Sequence, residues 1–149
     1  MFLPILISFG LLCLTILIHG WGSIFLVQYL FKKHSQTESV LSFGKAIRIL
    51  STSAVFLVVL HFVEIMAWAI IFLIIPNVEQ IKTIEEAIYF SLVTYTTVGY
   101  GDVVLTPYWR IMSGFEAMNG ILLFGWSSAL FFSIVQKILS ALNPHHTIK

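Results

Sequence analysis

Long apolar runs separated by short polar clusters organise the chain. From Phe2 to Phe31 there is no formally charged residue, and His19 is the one histidine. The run exceeds the ~20 residues that span a bilayer and predicts a first transmembrane helix over residues 1–31. At about 1.5 Å per residue it outreaches the ~30 Å apolar core, so it must tilt, project or bend near Gly20-Trp21-Gly22. A second run from about Ile49 to Pro76 is interrupted by His61 and Glu64, has Trp68 towards its far end, and meets a stop signal at Pro76-Asn77. A third runs from about Ile111 to Leu142 and ends at Asn143-Pro144. Ahead of it, Tyr108-Trp109-Arg110 suits a membrane interface.

Between the second and third runs, Thr83 followed three residues later by Glu86 reads as a capping box opening a helix through about Tyr95. Its length of roughly 18 Å reaches halfway across a bilayer. Such a half-helix must re-enter on the side it came from, and non-helical backbone after it is tolerated only inside protein or along an aqueous pathway.

The charges mark the loops. Residues 32–48 carry Lys32, Lys33, His34, Glu38, Lys45 and Arg48, a positive excess expected on the cytoplasmic side. Glu79, Lys82, Glu85 and Glu86 make the next connection net acidic and extracellular. Three crossings then put residue 1 outside and leave 143–149 as a short cytoplasmic tail, too small for a folded sensor domain. A cleaved signal peptide is the alternative for the first run, but it would leave the basic loop outside, and the run lacks a basic n-region.

With 58% hydrophobic and 10% charged residues and a mean hydropathy of +0.96, the composition is that of an integral membrane protein. A net charge of +1 provides no basic surface for nucleic acid. The single Cys13 excludes an intrachain disulfide and reads as a small packing residue. There is no Cys/His metal spacing, Ser-His-Asp arrangement or phosphate-cradling Gly-Lys loop, so neither an enzyme nor a cofactor is expected.

The candidate chemistry lies in Thr96-Thr97-Val98-Gly99-Tyr100-Gly101-Asp102. Gly99 and Gly101 can take positive φ at little steric cost, which lets successive carbonyls turn to one line while Val98 and Tyr100 point their side chains away. A Gly-Tyr-Gly-Asp run can also be an ordinary turn. A turn, however, needs neither a threonine pair upstream nor a half-helix before it and a long apolar helix after it. The seven residues resemble the selectivity filter of potassium channels at every defining position. That resemblance implies K⁺ held by the carbonyls of Thr97, Val98, Gly99, Tyr100 and the Gly101 turn, four chains contributing one ring each. It further implies a lower oxygen ring from the Thr97 hydroxyl and a mouth of four Asp102 carboxylates that concentrates cations. A monomer cannot build such rings, so the resemblance implies a homotetramer in the lipid bilayer.

Residues 49–142 resemble the tetrameric potassium channel pore domain: outer helix, pore helix, filter, inner helix. The His61-x-x-Glu64-Ile65 run, Phe90-Ser91-Leu92-Val93-Thr94 and Asn119-Gly120 to Phe124-Gly125-Trp126-Ser127 are similar to a small prokaryotic ion-channel group with one extra leading helix. The implied fold is an all-α membrane protein of three transmembrane helices, a re-entrant pore helix and a filter, fourfold symmetric as a tetramer. The family pattern makes Gly120 an inner-helix hinge and Gly125 a second flexible point, and turns Ile121, Phe124, Ser128 and Phe132 towards the pore. Packing against neighbouring helices is the alternative for these residues, equally good for Phe124 and Phe132, and a close contact between helices is the alternative for Gly120. Two positions depart from the pattern. Tyr89 and Phe90 stand where many relatives have two tryptophans, and Val93 stands where some have a carboxylate, leaving Tyr89 as one candidate partner for Asp102. The first helix has no arginine or lysine ladder of a voltage sensor, so it is a packing helix or an adaptor contact.

The resulting expectation is a passive, potassium-selective channel in the cell membrane, plasma or inner. The alternatives are a membrane subunit or regulator of a larger transport complex, or one subunit of a potassium transporter. Glu64, with His61 on the same helix face, and Glu116 are costly intramembrane titratable groups. They either fasten helices together or shift the open–closed equilibrium on protonation.

Overall fold

A computed structural model of the chain describes residues 2–34, 41–75 and 81–142. It contains four helices, α1 (Phe2–His34), α2 (Phe43–Ile74), α3 (Ile84–Tyr95) and α4 (Ile111–Leu142), and no strand among the described residues. α1, α2 and α4 are long and apolar enough to cross a membrane, which makes this an all-α, multi-pass membrane protein. Glu38 and Ser39 of the basic connection, the Pro76-Asn77 stop, the Asn143-Pro144 end and the tail lie outside the described residues.

The helix boundaries extend past the apolar runs. α1 continues through Lys32 and Lys33 to His34, and α2 starts at Phe43 rather than at Ile49, so Lys45 and Arg48 occupy its first turns instead of a loop. Lysine and arginine are good helix formers, and a helix can project beyond the apolar core, so charge marks the membrane edge rather than the helix end. Ser42 stands at the α2 N-cap in an extended conformation without a side-chain bond.

α1 is an unbroken helix through Gly20-Trp21-Gly22. Gly22 serves contact instead: a Cβ there would stand 2.7 Å from the Leu60 methyls of α2. Cys13 is exposed on the protomer surface, not packed inside it.

α3 begins as its sequence predicts. The Thr83 hydroxyl accepts from the Glu86 N–H at 3.1 Å, and the Glu86 carboxylate accepts from the N–H groups of Thr83 at 2.9 Å and Lys82 at 2.7 Å. Those donors, that of Lys82 first, hold the Glu86 carboxyl below its usual range.

α1 packs on α2 and α4, which also meet each other, and α3 sits between α2 and α4. The core around α3 gathers Ile65, Trp68, Phe72, Phe90, Tyr95, Trp109 and Met112, and a second, at the other end, gathers Leu26, Ala46, Leu57, Ile134 and Ile138. Trp68 and Trp109 are both buried in the core around α3. The Trp68 ring is stacked with that of Phe72, their centroids 6.2 Å apart. Of the Tyr108-Trp109 pair, Tyr108 is the exposed member.

Candidate functional site

The segment after α3 is folded back onto it. Thr97 N–H donates to the Thr94 carbonyl at 2.9 Å and Gly99 N–H to the Val93 carbonyl at 3.1 Å. Positive φ occurs at Thr97 (62°), Gly99 (51°) and Gly101 (79°). The two glycines match expectation. Thr97 does not, because a β-branched residue pays a steric cost there. Strain of this kind persists only where the surroundings enforce it, and here it falls at the first residue of the candidate filter. Val98 and Tyr100, between the positive-φ residues, have their side chains exposed in the protomer.

At the end of this segment the Tyr89 hydroxyl donates to Asp102 Oδ2 at 2.7 Å. The hydrogen bond holds the Asp102 carboxyl below its usual range and pushes the Tyr89 phenol up. Tyr89 thus takes the place of the carboxylate partner that Val93 cannot supply.

The inner-helix residues divide into two groups. Gly120 is buried against the end of α3, where a Cβ would collide with the carbonyl oxygen of Tyr95. Gly125 has open space around its Cα. Ile121, Phe124, Ser128 and Phe132 all lie on surface that one protomer leaves exposed. Phe124 also packs inward, its ring 4.4 Å from that of His61 and 5.5 Å from that of Tyr95.

Glu64 is fully buried and is the centre of a cluster that joins all four helices. Its Oε1 is 2.8 Å from His19 Nδ1 of α1, and its Oε2 is 3.1 Å from His61 Nδ1 of α2. The Tyr95 hydroxyl of α3 donates to the same Oε2 at 2.6 Å. On the far side of the two imidazoles, Ser127 Oγ of α4 lies 3.2 Å from His19 Nε2 and 2.9 Å from His61 Nε2. The ligating atoms of His19, His61 and Glu64 are within 4.8 Å of one another, a spacing a metal ion could use. Each of those atoms is instead engaged in the hydrogen bonds just given, so the cluster is closed on itself.

Of the intramembrane candidates, His61 and Glu64 come together, and Glu116 does not join them. Glu116 is fully buried beside Ser91 of α3, with no hydrogen bond of good geometry to either oxygen among the described residues. One turn of α4 further on, Asn119 Nδ2 donates to Thr15 Oγ1 of α1 at 2.8 Å. The sequence reading missed His19, Tyr95 and Ser127. For His19 the signal was present, since an imidazole inside an apolar span is as costly as Glu64 and needs a partner. Tyr95 and Ser127 carry no comparable mark, because tyrosine and serine are ordinary in membrane helices.

The ion-channel family profile matches residues 58–137, more than half the chain. The chain belongs to this ion-channel family. A stretch of 48 residues is 46% identical to the potassium voltage-gated channel protein shk-1 of Caenorhabditis elegans, covering 32% of this chain and 9% of that protein. The chain therefore spans only a small part of that relative's length. No solved structure matches the chain.

Proposed function

We propose that the chain is one subunit of a passive, potassium-selective channel in which four copies surround a common axis. The observation that carries this reading is the backbone of residues 97–101. Positive φ at Thr97, Gly99 and Gly101, alternating with the exposed Val98 and Tyr100, is compatible with consecutive carbonyls facing one line. The 46% identity to a potassium channel over 48 residues supports the same ion.

In this reading α3 is a re-entrant pore helix whose negative C-terminal end favours a cation at the base of the filter. The Tyr89–Asp102 bond braces the outer mouth. The exposed Ile121, Phe124, Ser128 and Phe132 line the inner cavity or the contact between copies. The potassium ion is the cargo. Loop charge orients residue 1 outside and residue 149 inside, in a cell membrane.

The test is potassium flux from the purified protein alone in liposomes, with sodium and barium controls. Barium-blocked flux with strongly unequal bi-ionic reversal potentials for potassium and sodium is expected. A reversal potential near zero, or no flux without another protein, would return the chain to the role of a subunit or regulator in a larger complex.

A further inference from the structure

The hydrogen atoms of the buried cluster can be counted. A serine hydroxyl has one hydrogen, yet Ser127 Oγ faces two imidazole nitrogens. It donates to one ring and must accept from the other, so one of the two Nε2 atoms carries a hydrogen. His61 Nδ1 faces Glu64 Oε2 and, at 3.2 Å, the Tyr95 oxygen, whose own hydrogen goes to Glu64. Both neighbours are acceptors, so His61 Nδ1 carries a hydrogen as well. Between His19 Nδ1 and Glu64 Oε1, at 2.8 Å, there must be one more.

Two arrangements satisfy every contact. In one, Ser127 donates to His61, His19 carries hydrogen on Nε2, and a further proton is shared between His19 Nδ1 and Glu64. In the other, Ser127 donates to His19, and His61 is an imidazolium beside the Glu64 carboxylate. Each holds one proton more than two neutral imidazoles and a carboxylate, and each has zero net charge. Without that proton the site carries a buried negative charge, and one contact is left with two lone pairs facing each other. With a second it carries a buried positive charge. Both are costly where water is excluded.

We infer that His19, His61, Glu64, Tyr95 and Ser127 form a membrane-embedded binding site for a single proton, and that its occupancy ties α1 to the pore-forming helices. No Cα of α1 comes within 8 Å of one of α3 among the described residues, and His19–Glu64–Tyr95 gives α1 a hydrogen-bonded route to the end of α3, one residue before Thr96. Ser127 lies two residues beyond Gly125, so the same proton holds the second half of α4. The groups facing the site are His19 from α1, His61 and Glu64 from α2, Tyr95 from α3 and Ser127 from α4, with Glu116 of α4 near enough to Tyr95 to interact with it electrostatically. The rings of Trp126 and Phe124 cover His19 and His61 at 5.5 and 4.4 Å. The first helix is thereby a component of the site and more than a packing element.

The site stands on the geometry of one protomer, whereas its effect on conduction rests on the channel reading. Two readouts keep them apart. In pH-difference infrared spectroscopy of the purified full-length chain, one protonation step that Glu64→Gln abolishes is expected beside those of the other carboxyls and histidines. In His19→Gln, Ser127 satisfies the remaining ring alone, and the step moves to lower pH by about one unit or more. Ser127→Ala removes an acceptor for the bound proton and also moves it down. Tyr95→Phe removes a donor to the carboxylate and moves it up. These opposite shifts are what a merely structural role would not produce. Potassium flux should change through the same step and follow the same shifts. No Glu64-dependent step in the wild type, one common midpoint in all variants, or a transition metal retained at one per subunit would overturn the site. Flux indifferent to a step seen in the infrared would overturn the coupling. Absence of flux at every pH, with the infrared step intact, would defeat the channel reading and uphold the site.

Discussion

Gly120 of the inner helix lies against the backbone of Tyr95, the last residue of α3: a Cβ on Gly120 would stand 2.9 Å from the Tyr95 carbonyl carbon and closer still to its oxygen. The obstacle is backbone, which cannot rotate aside as a side chain can. Gly120→Ala must therefore push α4 away from the base of the filter, at a cost of roughly 1–3 kcal/mol per subunit. Gly125→Ala meets open space and gains helix propensity of up to about 1 kcal/mol. Thermal melts of the purified oligomer should show the first variant less stable and the second equally or more stable. If Gly125 also acts as a hinge, its alanine variant keeps that stability while its flux falls.

Gly99 and Gly101, the glycines of the proposed filter, have the opposite problem. Among the described residues of the protomer nothing stands within 4 Å of a Cβ at Gly99 or Gly101, so the obstacle to alanine there is the backbone angle, at roughly 1–2 kcal/mol for each residue. On the proposed tetrameric reading, that cost is repeated in four copies and is expected to break the carbonyl rings while leaving the protomer folded. Bi-ionic reversal potentials of Gly99→Ala should collapse towards zero with helix content unchanged. Wild-type selectivity in this variant would remove residues 97–101 from the conduction path.

Legibility in the sequence followed how locally each feature is determined. The capping box at Thr83 and Glu86, the positive φ at the two filter glycines and the Tyr89–Asp102 contact all depend on residues within 13 positions of one another. Helix ends were displaced because the apolar run reports where lipid stops, whereas Lys45 and Arg48 extend the helix into water. The buried cluster was half visible. His61 and Glu64 sit on one helical turn, but His19 is 45 positions from Glu64 and Ser127 is 66 from His61, and only the packing of α1 and α4 onto α2 brings them together. Gly120 was legible as an exception in an inner helix, but its reason, a carbonyl on another helix, was not.

Loop charge makes a prediction about sidedness. Lys32, Lys33, Lys45 and Arg48 flank residues 35–40, so a cysteine at Ser39 should be reachable only from the cytoplasm. Cys13 is the chain's own thiol, so a Cys13→Ser background leaves residue 39 as the one site for the reagent. Membrane-impermeant maleimide should label Ser39→Cys in inside-out vesicles and not in intact cells. Labelling from outside would invert the whole topology, filter included.

The α3 cap gives a pH dependence with a definite sign. Glu86 accepts from the N–H groups of Lys82 and Thr83, and its folded value lies below that of a free glutamate, about 4.3. A depressed carboxylate contributes stability that is fully present above the unfolded value and is lost as pH falls through the lower, folded value. Glu86→Gln should therefore be less stable than wild type at neutral pH, keep that deficit down to about pH 4.3, and lose it in stronger acid. Thr83→Ala removes the reciprocal bond that the Glu86 N–H donates to the hydroxyl, which does not titrate, so most of its deficit of about 1 kcal/mol should remain in strong acid. Thermal melts of the three proteins between neutral pH and strong acid separate the two halves of the capping box. A Glu86→Gln deficit that does not change with pH would mean that the carboxylate is not held by those backbone donors.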